Sequence, residues 1–163
     1  MGKTIALYTD RNTEAETPPA VYAALDEEFH FTVDAAASDK NHKHQRYCKR
    51  DSFPDGLARP WVNEIVYCNP PYGREIDKWT AKAVRETHKS PVVVVMLLPA
   101  RTDTAWFHNH VIAEADEIRF VAGRLAFGDK GPAPFPSMIV VFRGMFDRKA
   151  PFIPRISTWR IRK

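Results

Sequence analysis

Residues 92–98 read Val92-Val93-Val94-Val95-Met96-Leu97-Leu98, a run in which every side chain is apolar and the first four are β-branched. Pro91 precedes the run and Pro99 follows it. A continuous apolar, β-branched segment of this length is typical of a central strand in a parallel sheet that is covered on both faces. The run therefore predicts a buried strand in the middle of an α/β domain.

Segments with helical and strand-like spacing alternate on both sides of this strand. Helices are predicted over residues 18–29, 76–87 and 104–113, and further strands over 31–34, 65–68, 117–121 and 137–142. Thr17 is the predicted N-cap of the first helix. Residues 38–60 and 123–136 are predicted to be mainly loops. This alternation indicates a mostly parallel sheet with right-handed crossovers and helices on its faces.

Length and composition narrow the class of protein. The 163 residues suffice for one domain, 1–163, and 44% hydrophobic with 27% charged residues is ordinary for a soluble globular chain. No apolar run reaches the length of a membrane span, and the N-terminus lacks the apolar stretch of a signal peptide. The two cysteines, Cys48 and Cys68, suit a reducing compartment. We expect a cytoplasmic protein.

The net charge of +4 is unevenly distributed. The basic C-terminal segment, residues 143–163, holds seven cations and one acid, and residues 40–50 hold five cations. Clustered cations are expected where a protein binds a polyanion such as nucleic acid. A solvated surface that only aids solubility would have the same composition, so charge leaves both interpretations open.

Three predicted strands end on residues that suit a ligand site. Asp34, Asn69 and Pro99 each follow or close a strand. In open α/β sheets, ligands bind in the crevice beyond the carboxyl ends of the strands. The sequence therefore predicts that these three strand ends form one crevice.

The stretch Asn69-Pro70-Pro71-Tyr72 follows the predicted strand 65–68 directly. One reaction that such a turn could assist is attack by the exocyclic amine of adenine, which is a weak nucleophile. Groups that accept hydrogen bonds from this amine stabilise the positive charge that develops on its nitrogen during the attack. The Asn69 side chain and the Pro70 backbone each offer a carbonyl, the prolines stiffen the turn, and Tyr72 offers a face for an extruded base. The same four residues also form ordinary turns, so position after a buried strand carries the argument.

Several ordered motifs make the chain similar to a known family. They comprise Thr17-Pro18-Pro19, residues 33–38, Asn41, residues 55–57 with Trp61, residues 67–73, residues 97–104 with Trp106 and Phe107, residues 123–127, and Pro136-Ser137. Together these segments resemble the phage-type DNA N-6-adenine methyltransferase (Dam-like) family over roughly residues 17–142. The resemblance implies a Rossmann-like class I methyltransferase fold, S-adenosylmethionine as cofactor, and methyl transfer to adenine with site-specific or relaxed sequence recognition.

The resemblance also implies roles for individual residues. Asn69, Pro70, Pro71 and Tyr72 match the catalytic motif. Thr17, Pro18, Asp34 and Ala35 match the site for the methionine part of the cofactor, and Asp55, or less well Asp51, matches an acid beside its adenine. The chain departs from the wider class in having Ala35-Ala36-Ala37 where a glycine-rich turn is common.

The expected partner is double-stranded DNA, reached in the cytoplasm of a bacterial host if the gene is carried by a phage. Residues 8–12, 40–50 and 123–136 are the expected contact regions, with Arg124, Lys40 and Arg46 as individual candidates. No metal is expected, because His42, His44 and Cys48 lack a clear fourth ligand. Methylation of cytosine N4, RNA adenine or a protein glutamine stays open, as does a DNA-binding module without activity.

Overall fold

The computed structural model describes residues 15–49, 55–128, 131–144 and 153–161. The predicted central strand is present as β4, Val93–Pro99. It pairs in parallel with β3, Ile65–Cys68, and antiparallel with β6, Ser137–Arg143. Every β4 residue after Val93 is buried. The prediction of a central buried strand is confirmed.

The described residues form one seven-stranded sheet in the order β2-β1-β3-β4-β6-β5-β7. The remaining strands are β1 Val33–Ala37, β2 Tyr47–Lys49, β5 Glu117–Val121 and β7 Arg155–Trp159. The strand β6 runs antiparallel to both of its neighbours, and all other pairs are parallel. The predicted mostly parallel α/β sheet is therefore confirmed, with one reversed strand.

Helices cover both faces of the sheet, and β4 shows this most clearly. Val94, Met96 and Leu98 point into a core formed with α2, Ile76–Lys89, and with a π-helix, Phe107–Ile112. Val95 and Leu97 point into the opposite core, which is formed with α1, Pro19–Phe29. Because alternate side chains of one strand enter different cores, β4 contains no polar position.

Three local details differ from the prediction. The strand β1 continues through the alanines to Ala37, so Asp34 is its second residue and not its end. The N-cap of α1 is Pro18, and Thr17 makes no capping bond because its hydroxyl is bonded elsewhere. The segment predicted as an α-helix over 104–113 has a π-helical centre.

The basic C-terminal segment is partly neutralised where the structure describes it. Glu117 is 5% exposed and forms 2.7 Å ion pairs with Arg119, Arg143 and Arg155. Burial raises the pKa of Glu117, but hydrogen bonds from these three arginines outweigh it and bring the pKa to about 2. Two of the seven C-terminal cations therefore stabilise the sheet edge. No helix among the described residues is long and apolar enough to cross a membrane.

Candidate active site

Asn69 lies immediately after β3, and its amide is held from one side. Its Nδ2 donates to the backbone oxygen of Ala15 at 2.6 Å and to Oγ1 of Thr17 at 3.0 Å. Because these two bonds use both amide hydrogens, the hydrogen-bond network assigns the opposite direction to the carbonyl oxygen. Asn69 Oδ1 is buried from solvent and has no hydrogen-bond partner among the described residues. The site therefore presents one oriented acceptor that no described residue uses.

Thr17 connects this amide to the sheet. Its Oγ1 lies 2.6 Å from the hydroxyl of Tyr67, a β3 residue that is almost wholly buried. Burial raises the pKa of Tyr67 well above its ordinary value, so the phenol remains neutral and available for this bond. The chain of contacts from Tyr67 through Thr17 to Asn69 fixes the amide against a rigid strand.

Tyr72 packs against two aromatic rings of the segment that precedes β6. Its ring meets Phe127 and Phe135 edge to face, with ring centroids 5.9 and 5.5 Å apart. The Tyr72 hydroxyl is buried without a partner among the described residues, and burial raises its pKa. The turn leaves the motif at Gly73, whose φ of +117° is a conformation that favours glycine. Pro70 is buried and Pro71 half-buried, so the turn is anchored in the protein.

Asp34 is 4% exposed and organises the chain after β1. Its Oδ1 accepts a hydrogen bond from the amide of Ala36 at 3.3 Å, and its Oδ2 accepts one from the amide of Lys43 at 2.9 Å. Burial raises the pKa of Asp34, and these bonds oppose the rise. In the sheet Asp34 lies opposite Tyr67. Asp34 therefore borders the Thr17–Tyr67 contact, although it does not end its strand.

Two acids were predicted to lie beside the adenine of the cofactor, and the structure describes one of them. Asp51 lies outside the described residues. Asp55 accepts the amide of Ala58 at 2.8 Å and begins a turn that packs on β1. That packing is close, since a Cβ on Gly56 would lie 1.9 Å from the Ala35 carbonyl oxygen. The turn thus brings Gly56, the residue after Asp55, against Ala35. Pro18 lies half-buried at the start of α1.

The predicted DNA-binding cations have different surroundings. Arg46 pairs with Glu64, and the neighbouring Lys43 and Lys49 pair with Glu16 and Asp39. By contrast, Lys40 and Arg124 are exposed, and neither has a carboxylate partner among the described residues. Most of the described cations in residues 40–50 are therefore already paired.

A cavity of about 280 Å³ lies beside the turn that contains Asn69 and Tyr72. Its lining comes from the turn, the start of α2 and the segment after β4, namely Tyr72, Gly73, Arg74, Ile76, Pro99, Arg101, Thr104, Trp106 and Phe135. Arg74 and Arg101 were not among the site residues predicted from the sequence. Arg101 could have been found because it lies within the family-like segment 97–104, whereas Arg74 lies outside the family-like segments. Tyr72 and Pro99 share this cavity, whereas Asn69 and Asp34 do not line it.

The profile of the family described as DNA N-6-adenine-methyltransferase (Dam) matches residues 7–150. The chain belongs to this family. It is 36% identical over 93 residues to the DNA N-6-adenine-methyltransferase of Escherichia phage T1, a match that covers 56% of this chain and 37% of that relative. The matched segment thus spans little more than a third of the phage T1 protein.

A solved structure gives independent support for the fold. The putative class I S-adenosylmethionine-dependent methyltransferase of Listeria monocytogenes superposes with a TM-score of 0.57. The alignment covers 91% of this chain and 68% of that one, at 12% identity. At this identity the likeness establishes the fold, and the predicted class I methyltransferase architecture is confirmed.

Proposed function

We propose that this protein transfers a methyl group from S-adenosylmethionine to the exocyclic amine of adenine in double-stranded DNA. One observation carries the proposal, namely the free and oriented Oδ1 of Asn69 at the end of β3. An acceptor fixed in advance stabilises positive charge on an attacking amine without reorganising during the reaction. Membership of the family makes adenine N6 the expected target.

Each residue of the turn has its own role toward the target base. Asn69 Oδ1 would accept one amine hydrogen and the Pro70 carbonyl the other, while the face of Tyr72 would stack against the extruded base. S-adenosylmethionine would supply the methyl group, with its sulfonium sulfur as the leaving atom, and the surplus proton of the methylated amine would leave to solvent. Fixing the amine in line with the methyl group contributes further through orientation.

The proposed cofactor site fits the residues around β1. An ionised carboxylate offers about four acceptor positions, so Asp34 retains acceptor capacity beyond its two backbone bonds and could hold an ammonium group. Gly56 packs against Ala35, and Asp55, the residue before it, is the acid proposed to lie beside the adenine of the cofactor. The hydroxyl of Thr17 is already bonded to Tyr67 and Asn69. We therefore assign the Thr17 side chain to positioning Asn69, and leave contact with the methionine part to the backbone of Thr17 and Pro18.

Contacts with DNA are proposed at Arg124 and Lys40, which are exposed and unpaired among the described residues. Arg46 is a weaker candidate, because its guanidinium already bonds to Glu64. The reaction would take place in the cytoplasm of a bacterial host, where phage and host DNA are found.

The mechanism is tested by Asn69→Ala in a tritiated-methyl transfer assay on duplex DNA. We expect a fall in rate of at least about 100-fold, because removing one preorganised group from such a site has an effect of that order. Cofactor binding, measured by calorimetry, should be nearly unchanged. Asn109→Ala is the matched control, since Asn109 is exposed on the π-helix. Equal activity of the two variants would exclude the role given to Asn69.

A further inference from the structure

The cavity beside the catalytic turn shares one wall with the proposed position of the target base. Tyr72 lines it, whereas Asn69 and Pro70 do not. A ligand in the cavity would therefore lie next to a base stacked on Tyr72 without taking its place. The volume of about 280 Å³ is below the roughly 300–1,000 Å³ typical of pockets for drug-sized ligands, and so suits a smaller fragment.

The lining of the cavity is apolar on its buried side and cationic at its exposed edge. Ile76, Trp106 and Phe135 are each less than 10% exposed, and two of them are aromatic. Arg74 and Arg101 are exposed. An aromatic surface favours stacking of a base, and guanidinium groups bind phosphate oxygens with paired hydrogen bonds. This combination matches the two parts of one nucleotide.

The two arginines differ from the cations of residues 40–50 in having no carboxylate partner among the described residues. Lys43, Arg46 and Lys49 each form an ion pair. Unpaired guanidinium groups at the edge of an apolar cavity provide charge complementarity to an anionic ligand.

The main chain around the cavity is fixed before any ligand binds. The carbonyl oxygen of Arg101 accepts the Thr104 hydroxyl at 2.8 Å, and the amide of Ala100 donates to the Pro136 carbonyl at 2.8 Å. Arg74 follows the catalytic turn immediately and precedes α2. A ligand held here would therefore be positioned relative to Tyr72 and the amide of Asn69.

We propose that this cavity binds the nucleotide adjacent to the target adenine, with its base against Trp106 and Phe135 and its phosphate at Arg74 and Arg101. The inference rests on the proposed function, and it adds a second unstacked base to it. Stacking and phosphate contacts of this kind would hold the neighbouring nucleotide with little preference for its base.

The test measures DNA binding by fluorescence anisotropy, using a labelled duplex that the wild-type protein binds. We expect Arg74→Gln and Arg101→Gln each to weaken binding by about tenfold at low salt, the loss of a charge-assisted hydrogen bond. Each should also reduce the slope of log affinity against log salt by about 1. Arg85→Gln is the control, since Arg85 is exposed on α2 and does not line the cavity.

A second arm replaces one base of the duplex by an abasic residue. Loss of the neighbour that enters the cavity should weaken wild-type binding about tenfold, the size of a stacking contact, whereas an abasic residue five positions away should not. Weakened arginine variants without any dependence on either neighbouring base would overturn the proposal, because general phosphate contacts would then suffice. Unchanged binding by both arginine variants would overturn it as well. Binding is read without methyl transfer, so failure to methylate adenine would count against the proposed function alone.

Discussion

Replacing Thr17 by Val tests how the Asn69 amide is positioned. The change keeps the shape of the side chain and removes the hydroxyl that bonds to Asn69 at 3.0 Å and Tyr67 at 2.6 Å. Two buried polar groups then lose a partner, and each such loss costs about 1–3 kcal/mol. We expect the free energy of unfolding to fall by about 2–6 kcal/mol.

The same variant should lose more in rate than in cofactor affinity. With one of its two tethers gone, the Asn69 amide rotates more freely, and misplacement of a reacting group by about 1 Å can lower a rate about 100-fold. We expect the single-turnover rate of methyl transfer to fall about 10- to 100-fold. The dissociation constant of S-adenosylmethionine, measured by calorimetry, should change less than about threefold, because the hydroxyl is not assigned to the cofactor.

Thr17→Ser is the matched control, because it retains the hydroxyl and should recover most of the rate. The opposite pattern would refute the reasoning. If Thr17→Val weakened cofactor binding at least about tenfold while single-turnover transfer at saturating cofactor stayed at the wild-type rate, the hydroxyl would be a cofactor ligand.

Three further substitutions test the buried hydroxyl of Tyr72, the ion pairs of Glu117 and the packing at Gly56. Tyr72→Phe removes a buried hydroxyl without a partner among the described residues, so thermal unfolding should show a gain of about 1 kcal/mol with activity retained; a clear loss of activity would mean that the hydroxyl acts in the reaction. Glu117→Gln should lower stability at pH 7 by about 3 kcal/mol. Because the folded pKa of Glu117 is about 2 and the unfolded value 4.5, its stabilisation is present above pH 4.5 and lost toward pH 2, so the variant should show a flatter dependence over that window in urea unfolding. Gly56→Ala should displace the turn, since the new Cβ would lie 1.9 Å from the Ala35 oxygen, and an unchanged melting temperature and cofactor affinity would contradict that packing.

The strands that could be predicted from the sequence are those whose residues are nearly all buried. The strands β3 and β4 are uniformly apolar and bounded by polar residues or proline, so pattern alone located them. The strand β7 was missed because its residues are nearly all exposed, which removes the apolar signal. The antiparallel direction of β6 was not predicted either, because an apolar run has the same pattern in both directions.

The candidate site divides in the same way. The turn from Asn69 to Tyr72 is contiguous in the chain, and its motif is visible in the sequence. The role of Thr17 is not visible in the sequence, because its hydroxyl bonds to residues 50 and 52 positions away. Arg74 lies in the turn after β3 and Arg101 follows β4, so the pairing of these two strands brings both arginines to one cavity. The sequence pattern located the turn that contains Asn69, and the tertiary structure was needed to find the contacts that hold its amide.

The target base is the central claim, and nucleoside analysis tests it most directly. Duplex DNA is incubated with S-adenosylmethionine and the wild-type protein, then digested and analysed by mass spectrometry against synthetic nucleoside standards. Asn69→Ala serves as the parallel sample. Our account predicts N6-methyladenine in the wild-type sample and almost none with the variant. Methylated cytosine, methylation confined to RNA, or N6-methyladenine at equal levels in both samples would contradict it.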